Sequence, residues 1–311
     1  MKGEEPGIVF RLFEKLVFKT VKEKLGLDQA VELLSGAAPL QRKTREFFFS
    51  MNMFINNIFG MSETSGPMTG ILPQDYARYD LDSAGLAILG SEVIVVGQDE
   101  KTGTGELCFR GRNVFMGYLK NEIATREAID SQGRVHSGDE GKLDQRGVMS
   151  ITGRFKELLV TAGGENVAPV PIELDIKSEL PFLSNVTLIG DHMKFVSAII
   201  TFKVTSTPLA LPNHDLLPEA IEQLENKGIN KVKTVEQAIA NEKVKKLIQK
   251  GIDAVNKRVV SNAAKVKSWF AVPDDFSVAG GELTPTMKVK RKVVTTKYSE
   301  QISKLYSNPG M

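Results

Sequence analysis

The chain has 311 residues, long enough for two compact domains with cores of their own. Its 41% hydrophobic and 25% charged content is that of an ordinary globular protein, and a net charge of +2 is too small to argue for nucleic acid as a partner. One cysteine, Cys108, allows no internal disulfide and points to a reducing compartment; no apolar run reaches the roughly 18 residues of a membrane span, and Lys15, Lys19, Lys22 and Glu23 interrupt the N-terminal apolar residues where a secretory signal would be continuous.

Residues 8–25 place Leu12, Phe13, Leu16, Val17, Val21 and Leu25 at helical spacing, with Lys and Glu opposite, which predicts an amphipathic helix. Docking against a protein body is preferred to lying on a membrane surface. Ser35-Gly36-Ala37-Ala38-Pro39-Leu40 follows, a run of small residues that a flat ring could approach closely. In Phe59-Gly60-Met61-Ser62-Glu63-Thr64 a hydroxyl and a carboxylate come after a glycine, a pair suited to a magnesium-bound phosphate because magnesium prefers hard oxygen ligands. From 92 to 152 the signals are short, β-rich and broken by glycine: a strand at 92–96, a turn region at 97–103 and a returning strand at 105–110. Met116-Gly117-Tyr118 comes next, and His136-Ser137-Gly138-Asp139 sets an acid behind a tight turn, where it could accept bonds from a ribose.

Past Gly153 the pattern turns to mixed helix and strand. Gly153-Arg154-Phe155-Lys156-Glu157 leads to Thr161-Ala162-Gly163-Gly164-Glu165-Asn166-Val167. Val244, Leu247, Ile248, Ile252, Val255 and Val259 form one apolar stripe among lysines and predict a helix over 242–260. Leu283-Thr284-Pro285-Thr286-Met287-Lys288-Val289-Lys290-Arg291 closes the series. Taken singly, each of these segments is a turn, a loop or a solvated basic stretch. No Gly-x-x-x-x-Gly-Lys-Ser/Thr loop is present, Gly103-Thr104-Gly105 lacks a dinucleotide fingerprint's third glycine, and Thr64 stands where a nucleophile elbow needs glycine. His136, His192 and His214 are far apart and show no zinc-type spacing.

In their order, these segments resemble the adenylate-forming superfamily of acyl-CoA ligases, luciferases and peptide-synthetase adenylation domains. Thr161 to Val167 and Leu283 to Lys288 are similar to long-chain fatty acyl-CoA synthetases. Phe-Met-Gly-Tyr-Leu (115–119), Pro-Val-Pro-Ile-Glu (169–173) and Gly-Gly-Glu-Leu (280–283) match the bubblegum branch. The resemblance implies an α/β fold in two parts. Residues 1–152 would be the end of a large AMP-binding domain with a β-barrel-like subdomain from about 92. Residues 153–156 would be a hinge, and 157–311 a mobile α+β lid with a helical insertion at about 216–264. It implies fatty acid activation with ATP, magnesium and coenzyme A through an acyl-adenylate, in the cytoplasm, with peripheral association at the endoplasmic reticulum or another membrane.

The residue roles it implies are these. Gly36, Ala37 and Ala38 lie along the adenine and acyl carbonyl, with Gly60 nearby. Ser62 sits by the phosphates and Glu63 holds magnesium. Asp139 binds the ribose hydroxyls with help from Arg154, and Lys156 marks the hinge. Gly163 and Gly164 line the pantetheine tunnel, and Lys288 bridges the carboxylate and the α-phosphate. Phe59 stands where tyrosine is usual, and Ser137 where threonine is. The family's phosphate loop precedes the adenine segment, and the resemblance places it in sequence outside these residues. Two other readings stay open: a ligase for a different acid, and a non-catalytic remnant that binds a membrane or a partner.

Overall fold

A computed structural model of the chain describes residues 7–37, 40, 42–71, 80–207, 211–259 and 261–307. They group into two compact units, Met1–Lys156 and Glu157–Met311.

The first unit opens with α1 (Ile8–Phe13), a π-turn (Glu14–Phe18) and α2 (Lys19–Lys24), one unbroken helical run where the apolar spacing predicts it. Asn52 Nδ2 donates to Glu14 Oε1 at 2.7 Å, yet Leu12, Phe13 and Leu16 stay more than half exposed. The docking expected of this helix is therefore slight among the described residues. β1 (Leu33–Ser35) pairs in parallel with β2 (Ile55–Asn57), and α3 (Arg42–Ser50) lies between them in sequence. β3 (Phe59–Met61), β4 (Gly66–Gly70) and β5 (Leu86–Ala87) make a small antiparallel sheet.

β6 (Ser91–Val96), β7 (Gly105–Gly111), β8 (Val135–Leu143) and β9 (Met149–Arg154) follow as a four-stranded antiparallel sheet in chain order. α4 (Glu122–Ala128) interrupts it, capped by Asn121 Oδ1, which accepts the Ala124 N–H. Leu107 and Phe109 point from one face of β7 into a core with Met68 and Met149, all fully buried. The barrel-like closure expected here is not found: among the described residues no pairing joins β6 to β9, and the sheet is open. The Gly85–Met149 bridge ties β9 to the β3–β5 sheet at a single point.

In the second unit, β10 (Leu159–Val160) and β11 (Asn166–Val167) form a short hairpin, and α5 (Pro169–Glu179) starts on a proline, which is preorganised for the first helical turn. β12 (Leu183–Ile189) pairs antiparallel with β13 (Val196–Phe202), and β14 (Val204–Ser206) with β15 (Pro212–Leu216). β16 (Val266–Ala271) joins β13 in parallel, an arrangement that requires a crossover. That crossover carries α6 (Pro218–Glu225), α7 (Val235–Ala240) and α8 (Glu242–Asn256). α9 (Arg291–Lys297) and α10 (Ser299–Ser307) end the described chain.

β13 is buried along its whole length. Ala198 and Ile200 face a large core with Ile176, Leu188, Ile248 and Ile252, while Ile199 faces a second one with Phe276, Val294 and Ile302. α8 buries Val244, Ile248, Ile252 and Val255, as its stripe predicts. A Cβ on Gly251 would come within 2.6 Å of Leu180 Cγ, so glycine there lets α5's end pack against the helix. α8 stops at Asn256 and not near 260. The Asn256 side chain turns to β16, exchanging 2.8 Å hydrogen bonds with the Val266 N–H and carbonyl, and the chain leaves the helix to follow it.

His214 on β15 joins three segments: Nδ1 is bound by Glu236 Oε1 on α7, and Nε2 lies 3.0 Å from Asp274 Oδ1 beyond β16. Hydrogen bonds to Asp274 and Glu236 raise its pKa above the ordinary 6.5. Its contribution is therefore complete below that unfolded value and lost as pH rises through the higher folded one. The Tm advantage of the parent chain over His214→Gln should be largest below about pH 6.5 and shrink towards pH 9. The group is exposed, so the effect is small. A Tm difference that grows with pH would assign the coupling to other groups.

Candidate functional site

Three glycine-dependent segments of the first unit carry residues singled out from the sequence. Gly36 follows β1, and a Cβ there would press on Ile58, 3.0 Å from Cγ1 and 3.2 Å from its carbonyl oxygen. Ile58 N–H in turn donates to Ser35 O at 2.8 Å, so the small-residue segment is held against the start of β3. Ala37 has φ of 66°, and Ala38 lies outside the described residues. A Cβ on Gly60 would overlap the Gly66 carbonyl across the β3–β4 ladder, so only glycine fits.

Between those strands Ser62, Glu63 and Thr64 form a single 3-10 turn. Thr64 is fully buried and ties it: Oγ1 accepts the Met61 N–H at 3.1 Å and lies 2.9 and 2.7 Å from the Met61 and Gly66 carbonyls. Residues 113–118 brace the turn from outside. Asn113 Nδ2 donates to Thr64 O at 2.8 Å, Phe115 N–H to Glu63 O at 2.8 Å, and Tyr118 Oη–H to Glu63 Oε1 at 2.6 Å. Sequence reading named Ser62 and Glu63 but missed Thr64, Asn113 and the role of Tyr118, whose partners are some fifty residues away. The turn offers an exposed hydroxyl and one carboxylate fixed on a single oxygen.

The acid at 139 is presented by an irregularity in the ladder. Glu106 pairs with Glu140 but Cys108 pairs with His136, so a two-residue step on β7 faces a four-residue step on β8. The surplus is taken up around Gly138, which has φ of 71°. Ser137 Oγ–H donates to Leu107 O at 2.6 Å and accepts the Asp139 N–H at 3.0 Å, while Glu106 Oε1 accepts the Gly138 N–H at 3.0 Å. Serine thus fills the threonine position with its hydroxyl in use. Asp139, one-tenth exposed at its side chain, sits opposite Arg154 on β9, with Oδ1 at 2.6 Å from Nε. The structure brings this predicted pair together. Cys108, opposite His136 on the same ladder, is buried, and burial with Glu106 nearby pushes its thiol up to about 12.

The backbone of Lys156 lies in the 3-10 turn Phe155–Glu157, where the first unit ends. In the second unit Gly163 and Gly164 cross the β10–β11 hairpin. Thr161 N–H donates to Glu165 O at 3.0 Å, and Gly164, at φ 78°, donates to Thr161 O at 2.8 Å. A Cβ on Gly164 would meet nothing within 4 Å and one on Gly163 only Thr161 Oγ1 at 3.8 Å, so this loop has an open face.

Lys288 stands at the tip of a separate tight hairpin closed by the Leu283–Val289 bridge. Thr284 N–H donates to Lys288 O at 2.8 Å, Lys288 N–H to Thr284 Oγ1 at 3.0 Å, and Met287 takes φ of 61°. Below it Glu282 is 2% exposed; its carbonyl accepts the Lys290 N–H at 2.7 Å and its carboxylate binds Lys297. Burial opposes ionisation of Glu282, but the Lys297 and backbone hydrogen bonds outweigh it and lower its pKa. Arg291 anchors the other end, 2.7 Å from Glu173 Oε1 on α5 and donating to Leu188 O at 2.6 Å. The backbone is thus fixed while the Lys288 side chain stays in solvent.

A family model described as AMP-binding enzyme matches residues 6–119. Over 301 residues the chain is 46% identical to the long-chain-fatty-acid–CoA ligase ACSBG2 of Gallus gallus, covering 96% of this chain and 39% of that one. Residues 6–119 thus match the AMP-binding enzymes, and almost the whole chain is similar to ligases of the bubblegum branch. The chain is 42% identical to ACSBG2 of Homo sapiens over 302 residues, 96% of the chain and 45% of the relative. It spans less than half the length of the curated relatives it matches. Among solved structures, the adenylation domain of a carboxylate reductase from Mycobacterium chelonae aligns with a TM-score of 0.68 at 20% identity, over 98% of this chain and 43% of that one. The mixed α/β architecture of the chain is thus that of adenylation domains.

Proposed function

We propose that the chain carries the ribose-binding, hinge, lid and lysine elements of a long-chain fatty acid–CoA ligase. In this reading a fatty acid and ATP form an acyl-adenylate, which coenzyme A then takes up. The observation that carries it is the 41–46% identity, over at least 95% of the chain, to curated long-chain-fatty-acid–CoA ligases. Residues to Thr152 would belong to the large domain, 153–156 to a hinge and 157–311 to the lid.

Each half-site suits its task. The Asp139 carboxylate, held on one side by Arg154, would accept hydrogen bonds from ribose hydroxyls. Glu63 suits magnesium, which takes one or two carboxylates and completes its shell with phosphate and water. Oε1 is occupied by Tyr118, and among the described residues Oε2 accepts no hydrogen bond. A bound magnesium would neutralise phosphate charge, and Ser62 would hydrogen-bond the same group. Lys288 would stabilise charge growing on the α-phosphoryl oxygens, as a cation does best in a dry site.

The test is a chimera in which this chain replaces the matching segment of the Gallus gallus ligase. It should form acyl-CoA from long-chain fatty acid, ATP and coenzyme A; a folded chimera that activates only a short or aromatic acid would replace this substrate class with another. In that chimera Asp139→Ala should raise the apparent KM for ATP about thirtyfold or more, the equivalent of about 2–4 kcal/mol for a charged, largely buried acceptor. An unchanged ATP dependence would leave Asp139 as a turn residue only.

The same reading places the protein in the cytoplasm, peripherally bound to a membrane. No helix among the described residues is long and apolar enough to cross one. The support is the exposed Leu12, Phe13 and Leu16 on the α1–α2 run, with Lys19 and Lys22 alongside. Sedimentation with anionic vesicles should fall on Leu16→Asp, and a parent chain that never pellets would overturn the placement.

A further inference from the structure

We propose that Glu106, Cys108 and His136 form a zinc site on the β7–β8 ladder. It does not depend on the ligase reading. Glu106 and Cys108 are two residues apart on β7 and so share a face, and His136 is the cross-strand partner of Cys108. His136 Nδ1 lies 2.8 Å from Glu106 Oε2 and 3.5 Å from Cys108 Sγ, and all three atoms fall within 4.8 Å of one another. Zinc bonds of about 2.0–2.3 Å at tetrahedral angles separate ligand atoms by roughly 3.3–3.6 Å. The nitrogen–sulfur distance is already there, and the nitrogen–oxygen distance needs to open by about half an ångström.

The remaining groups are arranged as a zinc site requires. Glu106 Oε1 is taken by the Gly138 N–H, which fixes the carboxylate and leaves Oε2 for the ion. Asp130 Oδ2, which binds the Arg134 guanidinium at 2.6 Å, lies 3.6 Å from His136 Nε2 and would take the second ring N–H of a metal-bound imidazole on a small approach. Cys108 is fully buried, while the Glu106 and His136 side chains are about one-quarter exposed, so the ion enters from their side and keeps a fourth position open to water. A thiolate and a carboxylate balance a divalent charge. Thiolate with imidazole selects zinc over magnesium or calcium. The ion would lock the two strands beside the irregular step that carries Asp139.

The experiment uses the 311-residue chain stripped with chelator and titrated with cobalt(II), then zinc. One equivalent of cobalt should give ligand-field bands of a four-coordinate ion and a thiolate-to-cobalt charge-transfer band, both erased by zinc. Cys108 is the chain's one cysteine, so that band can come from nowhere else. It should vanish in Cys108→Ala, and Asp130→Asn should weaken cobalt binding roughly 10–100-fold. Zinc should also raise the Tm of the parent chain but not of His136→Gln. A folded parent chain without the charge-transfer band overturns the site, as does a band that His136→Gln leaves unchanged. Should Cys108→Ala fail to fold, the parent spectrum and His136→Gln decide alone.

Discussion

Lys288→Ala in the chimera should slow acyl-adenylate formation by about a hundredfold to a thousandfold, yet leave transfer from supplied acyl-adenylate to coenzyme A near the parent rate. The magnitude is that of removing one preorganised donor from a site where negative charge develops. The separation of the two half-reactions comes from the construction of the second unit. Lys288 tops the Leu283–Val289 hairpin, and Gly163 and Gly164 top the β10–β11 hairpin, two different loops of one compact body. In the proposed reading, a lid turning about residues 153–156 would offer one loop for adenylation and the other for thioester formation. Each half-reaction is measured alone, by pyrophosphate release and by thioester formation from synthetic acyl-adenylate. Equal losses in both, with folding intact by circular dichroism, would remove both the lysine's assigned role and the exchange of loops.

Expressed by itself, the 311-residue polypeptide is expected to form no acyl-CoA at a measurable rate and to show no ATP–pyrophosphate exchange. Glu63 and Lys288 suit a metal and an α-phosphate, but these residues include no glycine-rich loop whose row of backbone N–H groups could cradle the β- and γ-phosphates. Those groups carry most of the nucleotide's charge, and an unheld leaving group is neither in line nor neutralised as it departs. More than half of each matched relative's length lies outside the aligned stretch. The first unit also shows apolar surface: Phe47 is 58% exposed, and Phe48, Phe49, Phe54 and Ile55 are only partly covered. Monodisperse protein assayed both ways decides it. Robust turnover that Lys288→Ala abolishes would show the cradle to be dispensable.

Much of the local structure was legible because it depends on near neighbours. Strands at 92–96 and 105–110 follow from β-branched and apolar runs bounded by glycine, and each extends by one residue, to Ser91 and Gly111. The stripe through Val244, Ile248, Ile252 and Val255 marks α8, and only its end was missed, because Asn256 answers to Val266. The site was legible as motifs whose roles came from resemblance. What could not be read were contacts made across the chain: Tyr118 on Glu63, Glu106 under Gly138, Arg291 on Glu173. Zinc-type spacing was absent among His136, His192 and His214, whereas Cys108 and His136 are distant in sequence and only strand pairing sets them opposite one another. The open sheet of the first unit departs from the barrel-like expectation because closure depends on pairing between strands distant in sequence, which no motif encodes.

β13 carries one more consequence. A strand with one wet face cannot slide by a residue without turning its apolar side chains into water, but β13 has no wet face, and both sides are apolar cores. Hydrophobicity alone would tolerate the slippage. Thr201 does not: its Oγ1 donates to Asp275 Oδ1 at 2.5 Å and accepts the Asn185 N–H at 3.0 Å. Sliding by one residue would turn that hydroxyl into the apolar core that holds Leu188 and strand Asp275 without it, a cost of a few kcal/mol for an unpaired buried polar group. A polar side chain, invisible in any hydropathy profile, is what indexes the central strand of the second unit.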